Sequence, residues 1–170
     1  MPNLIILSGL PGCGKTTLGH ALVKAFSKTV MISSDAVRLG VNSHPKYTIA
    51  ESKETFERVR VGVARSLYDG LDVIVDATNL RMHNVEPIVN MGTIHHALVY
   101  IIHIHAPKEE RVQRILQRTY PDPHGTIKAS EKMEKYIDLD PEIVSLWLDG
   151  TQPVEELVSL VQGVVNFNHE

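Results

Sequence analysis

Short apolar runs alternate along this chain with longer segments in which apolar residues recur three or four positions apart. The short runs are rich in β-branched residues and predict strands, whereas the longer segments predict amphipathic helices. Strands that alternate with helices are typical of an α/β protein with a mainly parallel sheet and helices on both faces. The predicted strands are residues 4–8, 30–33, 72–76, 97–105 and 143–148.

Glycine and proline residues set most of the predicted helix boundaries. Gly40 is expected to end one short helix, and Gly70 is expected to cap a longer one. Pro87 should kink its helix or delay the start of that helix. The first predicted helix begins near Gly14, and the others cover residues 35–39, 50–69, 80–91, 107–119, 130–137 and 154–165, with a loop at 120–125.

Composition indicates an ordinary globular protein. The chain has 170 residues, of which 43% are apolar and 22% are charged, so one folded domain over 1–170 is expected. The net charge of −3 disfavours a protein that coats nucleic acid and leaves room only for local contacts with it. The single cysteine, Cys13, favours a reducing compartment. Because no secretory signal or apolar run of about 20 residues is present, we expect a cytoplasmic protein with no membrane partner.

The strongest chemical motif lies between the first strand and the first helix. Gly9–Thr16 reads G-x-x-x-x-G-K-T, a complete phosphate-binding loop. Its glycines let backbone N–H groups converge on phosphate oxygens, Lys15 can reach the terminal phosphates, and the Thr16 hydroxyl can ligate magnesium. The predicted nucleotide-binding residues are Gly9, Pro11, Gly12, Cys13, Gly14, Lys15, Thr16 and Thr17.

The nucleotide is expected to be ATP. The chain contains neither Asn-Lys-x-Asp nor Thr-Lys-x-Asp, the sequences that read guanine, and it lacks a separate helical domain of the kind found in larger ATPases. The sequence therefore favours adenine, with Mg²⁺ as the accompanying ion. The turn at residues 151–153 is a candidate border of the adenine site.

Two carboxylates follow strands and should therefore face the same crevice. Ligands of doubly wound sheets lie beyond the carboxyl ends of the strands, where Asp35 and Asp76 are placed. Asp35 can accept the proton of an attacking hydroxyl, with Arg38 one helical turn away to reach an anionic group. Alternatively, Asp35 caps a short helix and Arg38 is a surface residue. Asp76 can hold water around magnesium or orient an acceptor, or it can serve in a turn with Thr78 and Asn79.

Together these motifs resemble the small P-loop kinases typified by phage polynucleotide 5′-hydroxyl kinase. The likeness rests on Gly9–Thr16, on Asp35-Ala-Val-Arg38, on Val73-Ile-Val-Asp76-Ala-Thr-Asn79 and on an arginine-bearing helix after Pro107. It covers about residues 3–137, and the same group grades into zeta-toxin-like and chloramphenicol-phosphotransferase-like enzymes. The resemblance implies a three-layer P-loop fold with a small helical lid over about 108–137.

The resemblance also implies roles for particular residues. Lys15 and Thr16 would bind the ATP phosphates and magnesium, Asp35 would be the general base, and Arg38 would position the acceptor. Arg118 falls where the lid arginine of this family contacts the transferred phosphate, and Arg114 is the neighbouring candidate. Arg111, Arg114 and Arg118 are three and four residues apart, so we expect them on one helix face, which could also be a solvated cationic face.

The sequence therefore predicts an ATP-dependent kinase with a hydroxyl acceptor. A polynucleotide 5′-hydroxyl is the preferred acceptor, and a small molecule such as a metabolite, nucleoside or antibiotic is the alternative. A nucleotide-binding switch without an acceptor is a further alternative of another class. His103 and His105 share one face of a strand, but a dedicated transition-metal site is not expected there.

Overall fold

The computed structural model describes residues 1–167, and its centre is a five-stranded, all-parallel sheet. The order of the strands across the sheet is β2-β3-β1-β4-β5. This arrangement confirms the predicted α/β class and the prediction of five strands. The strands are β1 (Asn3–Ser8), β2 (Thr29–Ser33), β3 (Asp72–Asp76), β4 (Leu98–His105) and β5 (Leu146–Asp149).

Helices cover both faces of the sheet, as predicted. β1 is central, and alternate residues of this strand point to opposite faces. Ile5 and Leu7 pack in the cluster that contains α1 and α7, and Leu4 and Ile6 pack in the cluster that contains α3 and α4. Among the described residues the helices are α1 (Lys15–Ala25), α2 (Ser34–Val41), α3 (Ile49–Tyr68), α4 (Met82–Ile94), α5 (Lys108–Leu116), α6 (Pro123–Glu134) and α7 (Val154–Val164).

Burial on both faces explains why β1 is a continuous apolar run. Each fully buried Leu or Ile side chain contributes about 1.5–3 kcal/mol relative to an exposed one. Leu4, Ile5, Ile6 and Leu7 are all fully buried. β1 therefore fixes the position of the loop that follows it, which carries the phosphate-binding motif.

The expectation that Gly40 ends α2 was wrong. The helix continues through Gly40 to Val41, and the Asn42 N–H donates to the Arg38 carbonyl at 2.9 Å to close its last turn. A single glycine costs a helix only about 1 kcal/mol, which packing against a neighbouring helix can offset. Gly70 follows Asp69, the C-cap of α3, and has the positive φ (+76°) typical of the glycine that ends a helix.

The predicted elements of the segment after β4 also need correction. The helix after Pro107 ends at Leu116, not near residue 119, so Arg118 lies outside it. The next helix begins at Pro123, inside the stretch predicted as a loop, and ends at Glu134. Asp122 accepts the Gly125 N–H at 2.6 Å and caps this helix, and Pro123 occupies its first turn. The proline that was interpreted as a breaker therefore starts a helix.

Two further boundaries differ from prediction. α4 begins at Met82 and includes Pro87, so the proline neither ends the helix nor prevents its extension to Ile94. β5 begins three residues later than predicted, because residues 141–143 form a turn of 3₁₀ helix. No helix within residues 1–167 is both long enough and apolar enough to cross a membrane.

Candidate active site

The phosphate-binding loop connects β1 to α1 in the conformation that its glycines allow. Gly12 has a φ of +86°, and a Cβ atom there would lie 2.6 Å from the Arg111 carbonyl oxygen. Gly14 is the N-cap of α1 and has a φ of +109°. A side chain at position 12 would therefore strain the backbone and collide with the first turns of α5. Gly9 and Cys13 are buried, Pro11 is half-buried, and Thr17 is exposed in the first turn of α1.

Lys15 folds back over this loop. Its Nζ donates to the carbonyl oxygens of Gly9 at 2.8 Å and Leu10 at 3.0 Å, and it lies 3.6 Å from Cys13 Sγ. The side chain is 8% exposed. The ammonium is thus held at the loop, beside the N-terminus of α1, where the partial positive charge of the helix also favours an anion.

The structure brings Thr16 and Asp76 together. The Thr16 hydroxyl donates to Asp76 Oδ2 at 2.8 Å, although the residues are 60 positions apart. Both groups offer the oxygen ligands that Mg²⁺ prefers, and Mg²⁺ commonly takes its other ligands from nucleotide phosphates and water. Within residues 1–167, no group of three His, Cys, Asp or Glu side chains is arranged to hold a metal. The Thr16–Asp76 pair therefore fits a magnesium ion that is shared with a nucleotide.

Asn79 joins the end of β3 to the phosphate-binding loop. Its Nδ2 donates to the Leu7 carbonyl at 2.7 Å, and its own carbonyl accepts the Ser8 hydroxyl at 2.9 Å. The Gly9 N–H donates to Thr78 O at 2.9 Å. These contacts fix the start of the phosphate-binding loop relative to the end of β3, where Asp76 lies. Asn79 therefore supports the site by holding the end of β1 in place.

Asp35 lies at the start of α2, beside the same crevice. It is the second residue of this helix, and the cap position belongs to Ser33. Its electrostatic neighbours are Asp76, Arg38, Lys15 and Arg118. Although the side chain is exposed at the crevice, protein atoms crowd its carboxyl, and this desolvation, with the charge of Asp76, raises the pKa of Asp35. A carboxylate with a raised pKa beside a phosphate-binding loop is suited to accept a proton.

Arg38 is buried, so the alternative that it is a surface residue was wrong. The side chain is 6% exposed, and its Nη1 donates to Glu51 Oε1 at 3.0 Å and to Ser52 Oγ at 3.3 Å. The guanidinium carbon lies 4.8 Å from the centre of the Tyr47 ring. Arg38 is therefore the ion-pair partner of Glu51 between α2 and α3, and its positive charge acts on the Asp35 carboxyl.

Glu51 is a functional candidate that sequence reasoning missed. It accepts the backbone N–H groups of Lys46 at 2.9 Å and Tyr47 at 3.2 Å, besides its bond with Arg38. These hydrogen bonds, that of Lys46 first, lower the pKa of Glu51 to about 2. The signal was Thr48-x-x-Glu51, the capping-box pattern, and Thr48 Oγ1 does accept the Glu51 N–H at 3.2 Å.

The three arginines of the segment after β4 have separate positions, so the prediction of one shared helix face was wrong. Arg111 is buried and joins α5 to α6, through Ser130 Oγ at 2.8 Å and an ion pair with Glu134. Arg114 Nη1 donates to the Gly12 carbonyl at 3.3 Å. Arg118 lies after the end of α5 and is an electrostatic neighbour of Asp35. Arg114 is therefore the arginine that contacts the phosphate-binding loop, and Arg118 is the one whose charge acts on the Asp35 carboxyl.

Two other predicted features lie near this centre. A Cβ atom at Gly150 would collide with the Cys13 carbonyl, so the turn at 150–153 runs directly against the phosphate-binding loop. His103 Nδ1 lies 3.1 Å from Ser8 Oγ, and its ring is 4.6 Å from that of Trp147. Burial lowers the pKa of His103, which favours the neutral ring as a hydrogen-bond partner of the serine.

A family model and several solved structures are similar to this chain. A family model described as AAA domain matches residues 4–139. A sugar kinase from Janibacter sp. HTCC2649 has a TM-score of 0.73 at 16% identity, with 99% of this chain and 96% of that chain covered. An APS kinase from Mycobacterium tuberculosis, in complex with AMPPNP and APS, has a TM-score of 0.69 at 19% identity, with 96% of each chain covered.

A chain of the Pnkp1/Rnl/Hen1 complex is 27% identical, with a TM-score of 0.61. The match covers 71% of this chain but only 42% of that chain. The chain belongs to the AAA-domain family, and its fold is that of the P-loop kinases.

Proposed function

We propose that this member of the AAA-domain family is a kinase that transfers the γ-phosphoryl group of ATP to a hydroxyl, specifically the 5′-hydroxyl of a polynucleotide end. The observation that carries the proposal is the position of Asp35. Its carboxyl is within electrostatic reach of Lys15, Asp76 and Arg118, which come from three other parts of the chain. A nucleotide switch needs the phosphate-binding loop but has no need of a carboxylate with a raised pKa at this place.

In the proposed reaction, Asp35 takes the proton of the attacking hydroxyl. The acceptor oxygen forms a bond to the γ-phosphorus as the bond from that phosphorus to the β–γ bridging oxygen breaks, and ADP leaves with the electron pair. Lys15, held at the phosphate-binding loop, and Arg118, within electrostatic reach of Asp35, would stabilise the negative charge that accumulates on the transferred group. Catalysis is therefore mainly positioning and charge stabilisation, as is usual for phosphoryl transfer.

Nucleotide and metal would occupy the side of the crevice next to α1. Thr16 and Asp76 would hold the magnesium ion, which neutralises phosphate charge when bound. Arg114 contacts the phosphate-binding loop at Gly12 and is positioned to contribute to nucleotide binding. The AMPPNP complex of the structurally similar APS kinase supports ATP as the donor.

Two sequence similarities support a polynucleotide 5′ end. The strand-end motifs Asp35-x-x-Arg38 and Asp76-x-Thr-Asn79 resemble those of polynucleotide 5′-hydroxyl kinases. The 27% identity to a chain of the Pnkp1/Rnl/Hen1 complex is higher than the identity to the sugar kinase or to the APS kinase. A 5′ end needs only a few contacts, so the net charge of −3 is compatible with it.

A small hydroxyl-bearing molecule is the second candidate acceptor. The sugar kinase and the APS kinase match this chain over nearly its full length and theirs, whereas the Pnkp1/Rnl/Hen1 chain is more than twice as long as the part that matches. A single compact domain of this length is thus also typical of kinases that act on small molecules.

An acceptor panel separates these candidates. The protein is incubated with Mg²⁺ and ATP labelled on the γ-phosphorus, together with 5′-hydroxyl oligonucleotides, nucleosides, sugars, and aminoglycoside or phenicol antibiotics. We expect label on the oligonucleotides, and no label with Lys15→Ala. Labelling of a sugar or an antibiotic alone would select the second candidate, and ATP binding without transfer to any member would favour a switch.

A further inference from the structure

Two exposed tyrosines meet at the rim of the crevice that contains Asp35. Tyr47 belongs to the loop between α2 and α3, Tyr120 belongs to the loop between α5 and α6, and their hydroxyl oxygens are 3.3 Å apart. Their exposed fractions are 51% and 38%. Desolvation and the hydrogen bond with Tyr120 raise the pKa of Tyr47. The negative charge of Asp35 raises this pKa further. Tyr47 is therefore within electrostatic reach of Asp35, the proposed base, and Tyr120 contacts Tyr47.

Tyr47 is held in place by its surroundings. Its φ is +54°, an unusual value for a bulky residue, and its N–H donates to Glu51 Oε1 at 3.2 Å. Glu51 also binds Arg38, whose guanidinium lies over the Tyr47 ring at 4.8 Å. One face of the ring is thus covered by a cation that is fixed by the same carboxylate, while half of the side chain remains open to solvent. This arrangement presents a rigid aromatic face, which costs little entropy to use in binding.

We propose that Tyr47 is a stacking platform for the 5′-terminal base of a polynucleotide acceptor, with Tyr120 closing the platform from the segment between α5 and α6. This inference rests on the proposed function and names how that acceptor is recognised. Base–aromatic stacking tolerates every base, because every base has a π face, and it needs no basic groove. It therefore explains how a chain of net charge −3 can bind a nucleic-acid end. The Arg38 guanidinium, 4.8 Å from the ring centre, holds the ring in place on one face and leaves the other face for a base.

The direct test compares two 5′-hydroxyl oligonucleotides that are identical except that one lacks the base of its first nucleotide. Stacking of one base is typically worth about 5- to 100-fold in affinity. With the wild-type protein, we expect the KM for the abasic acceptor to be about tenfold or more above that for the complete one. The KM for ATP should be the same with both.

Variants then assign the effect to the ring. Tyr47→Ala should raise the KM of the complete acceptor about tenfold and leave that of the abasic acceptor unchanged, whereas Tyr47→Phe should retain the wild-type preference. Tyr120→Ala should weaken the preference less. Tyr68→Ala is the matched control, because Tyr68 is 82% exposed at the last residue of α3, which leads into the start of β3, whereas Asp76 lies at the other end of that strand.

Two contrary results have different meanings. Transfer to both oligonucleotides with equal KM would overturn the stacking platform and leave the kinase proposal intact. Transfer to no 5′-hydroxyl oligonucleotide would overturn the proposed acceptor and the platform together. Because the comparison of the two acceptors uses the wild-type protein, it does not depend on how well any variant folds.

Discussion

Replacing Asp35 by asparagine tests the chemistry at the centre of the site. The substitution preserves the size of the side chain and its ability to accept a hydrogen bond, but it removes the group that would take the proton. A positioned general base contributes about 10²–10⁴-fold to a rate, so we expect transfer to fall at least about 100-fold. At about 1.36 kcal/mol per tenfold, this is a barrier increase of about 2.7 kcal/mol or more. ATP affinity should not fall, because Lys15 and the phosphate-binding loop are untouched.

The pH dependence adds a second, independent part to this prediction. Burial and the Asp76 charge raise the pKa of Asp35, so the acidic limb of the rate profile should lie above the ordinary aspartate value of about 3.9. Because the folded-state pKa exceeds the unfolded one, the folded state binds this proton more tightly. The free energy of unfolding of the wild type therefore falls as pH rises from the unfolded-state pKa to the folded-state pKa of Asp35. At neutral pH the charged carboxylate destabilises the folded protein. Asp35→Asn should then keep or raise Tm while it lowers transfer at least about 100-fold.

The assay combines steady-state transfer, calorimetric ATP binding and thermal unfolding on the same preparations. Asp69→Asn is the matched control, since Asp69 is an exposed carboxylate at the end of α3 outside the crevice. The control should match the wild type in transfer and in ATP affinity. Transfer by Asp35→Asn within twofold of the wild type would remove Asp35 from the catalytic residues, and a loss of ATP binding would mean that the residue serves the nucleotide instead.

Four further variants test Lys15, the two arginines Arg118 and Arg114, and Glu51. Lys15→Ala should lose transfer and weaken ATP binding in calorimetry, and wild-type affinity and turnover would contradict the assignment of the nucleotide site. Arg118→Ala should lower kcat at least about tenfold with a smaller change in ATP affinity, because its contact matters most in the transition state; a larger kcat loss in Arg114→Ala would exchange the two roles. The pKa of Glu51 is lowered to about 2, so the charged carboxylate stabilises the folded protein at pH values above the ordinary glutamate pKa of about 4.3. This stabilisation is lost as pH falls toward 2. Glu51→Gln should therefore flatten the fall of Tm over this pH interval relative to the wild type, and an unchanged slope would refute the lowered pKa of Glu51.

The central sheet was predictable because each strand is a contiguous apolar run. β3 was predicted with its observed bounds, since both of its faces are buried and its first and last residues are aspartates. The segment after β4 was less predictable, because proline both stops helices and starts them. Pro123 begins α6 only because Asp122 caps it, and α5 ends early enough to leave Arg118 in a loop.

The candidate site was likewise predictable where its residues are adjacent in sequence and unpredictable where they are far apart. The phosphate-binding loop is contiguous in sequence, so its spacing alone identified it. Glu51 could not be recognised as the partner of Arg38, because that contact depends on how the intervening loop folds over the carboxylate. The meeting of Tyr47 with Tyr120 spans 73 residues and requires two loops to converge, which no local pattern encodes. Contacts between distant elements are therefore what the structure adds.

We propose that this protein transfers a phosphoryl group to the hydroxyl at a polynucleotide 5′ end. This proposal is tested most directly with two oligonucleotides of the same sequence, one ending in a 5′-hydroxyl and the other in a 5′-phosphate, each incubated with Mg²⁺ and ATP labelled on the γ-phosphorus. We predict one labelled phosphate per 5′-hydroxyl strand and none on the 5′-phosphate strand. Release of labelled inorganic phosphate with neither strand labelled would contradict the claim.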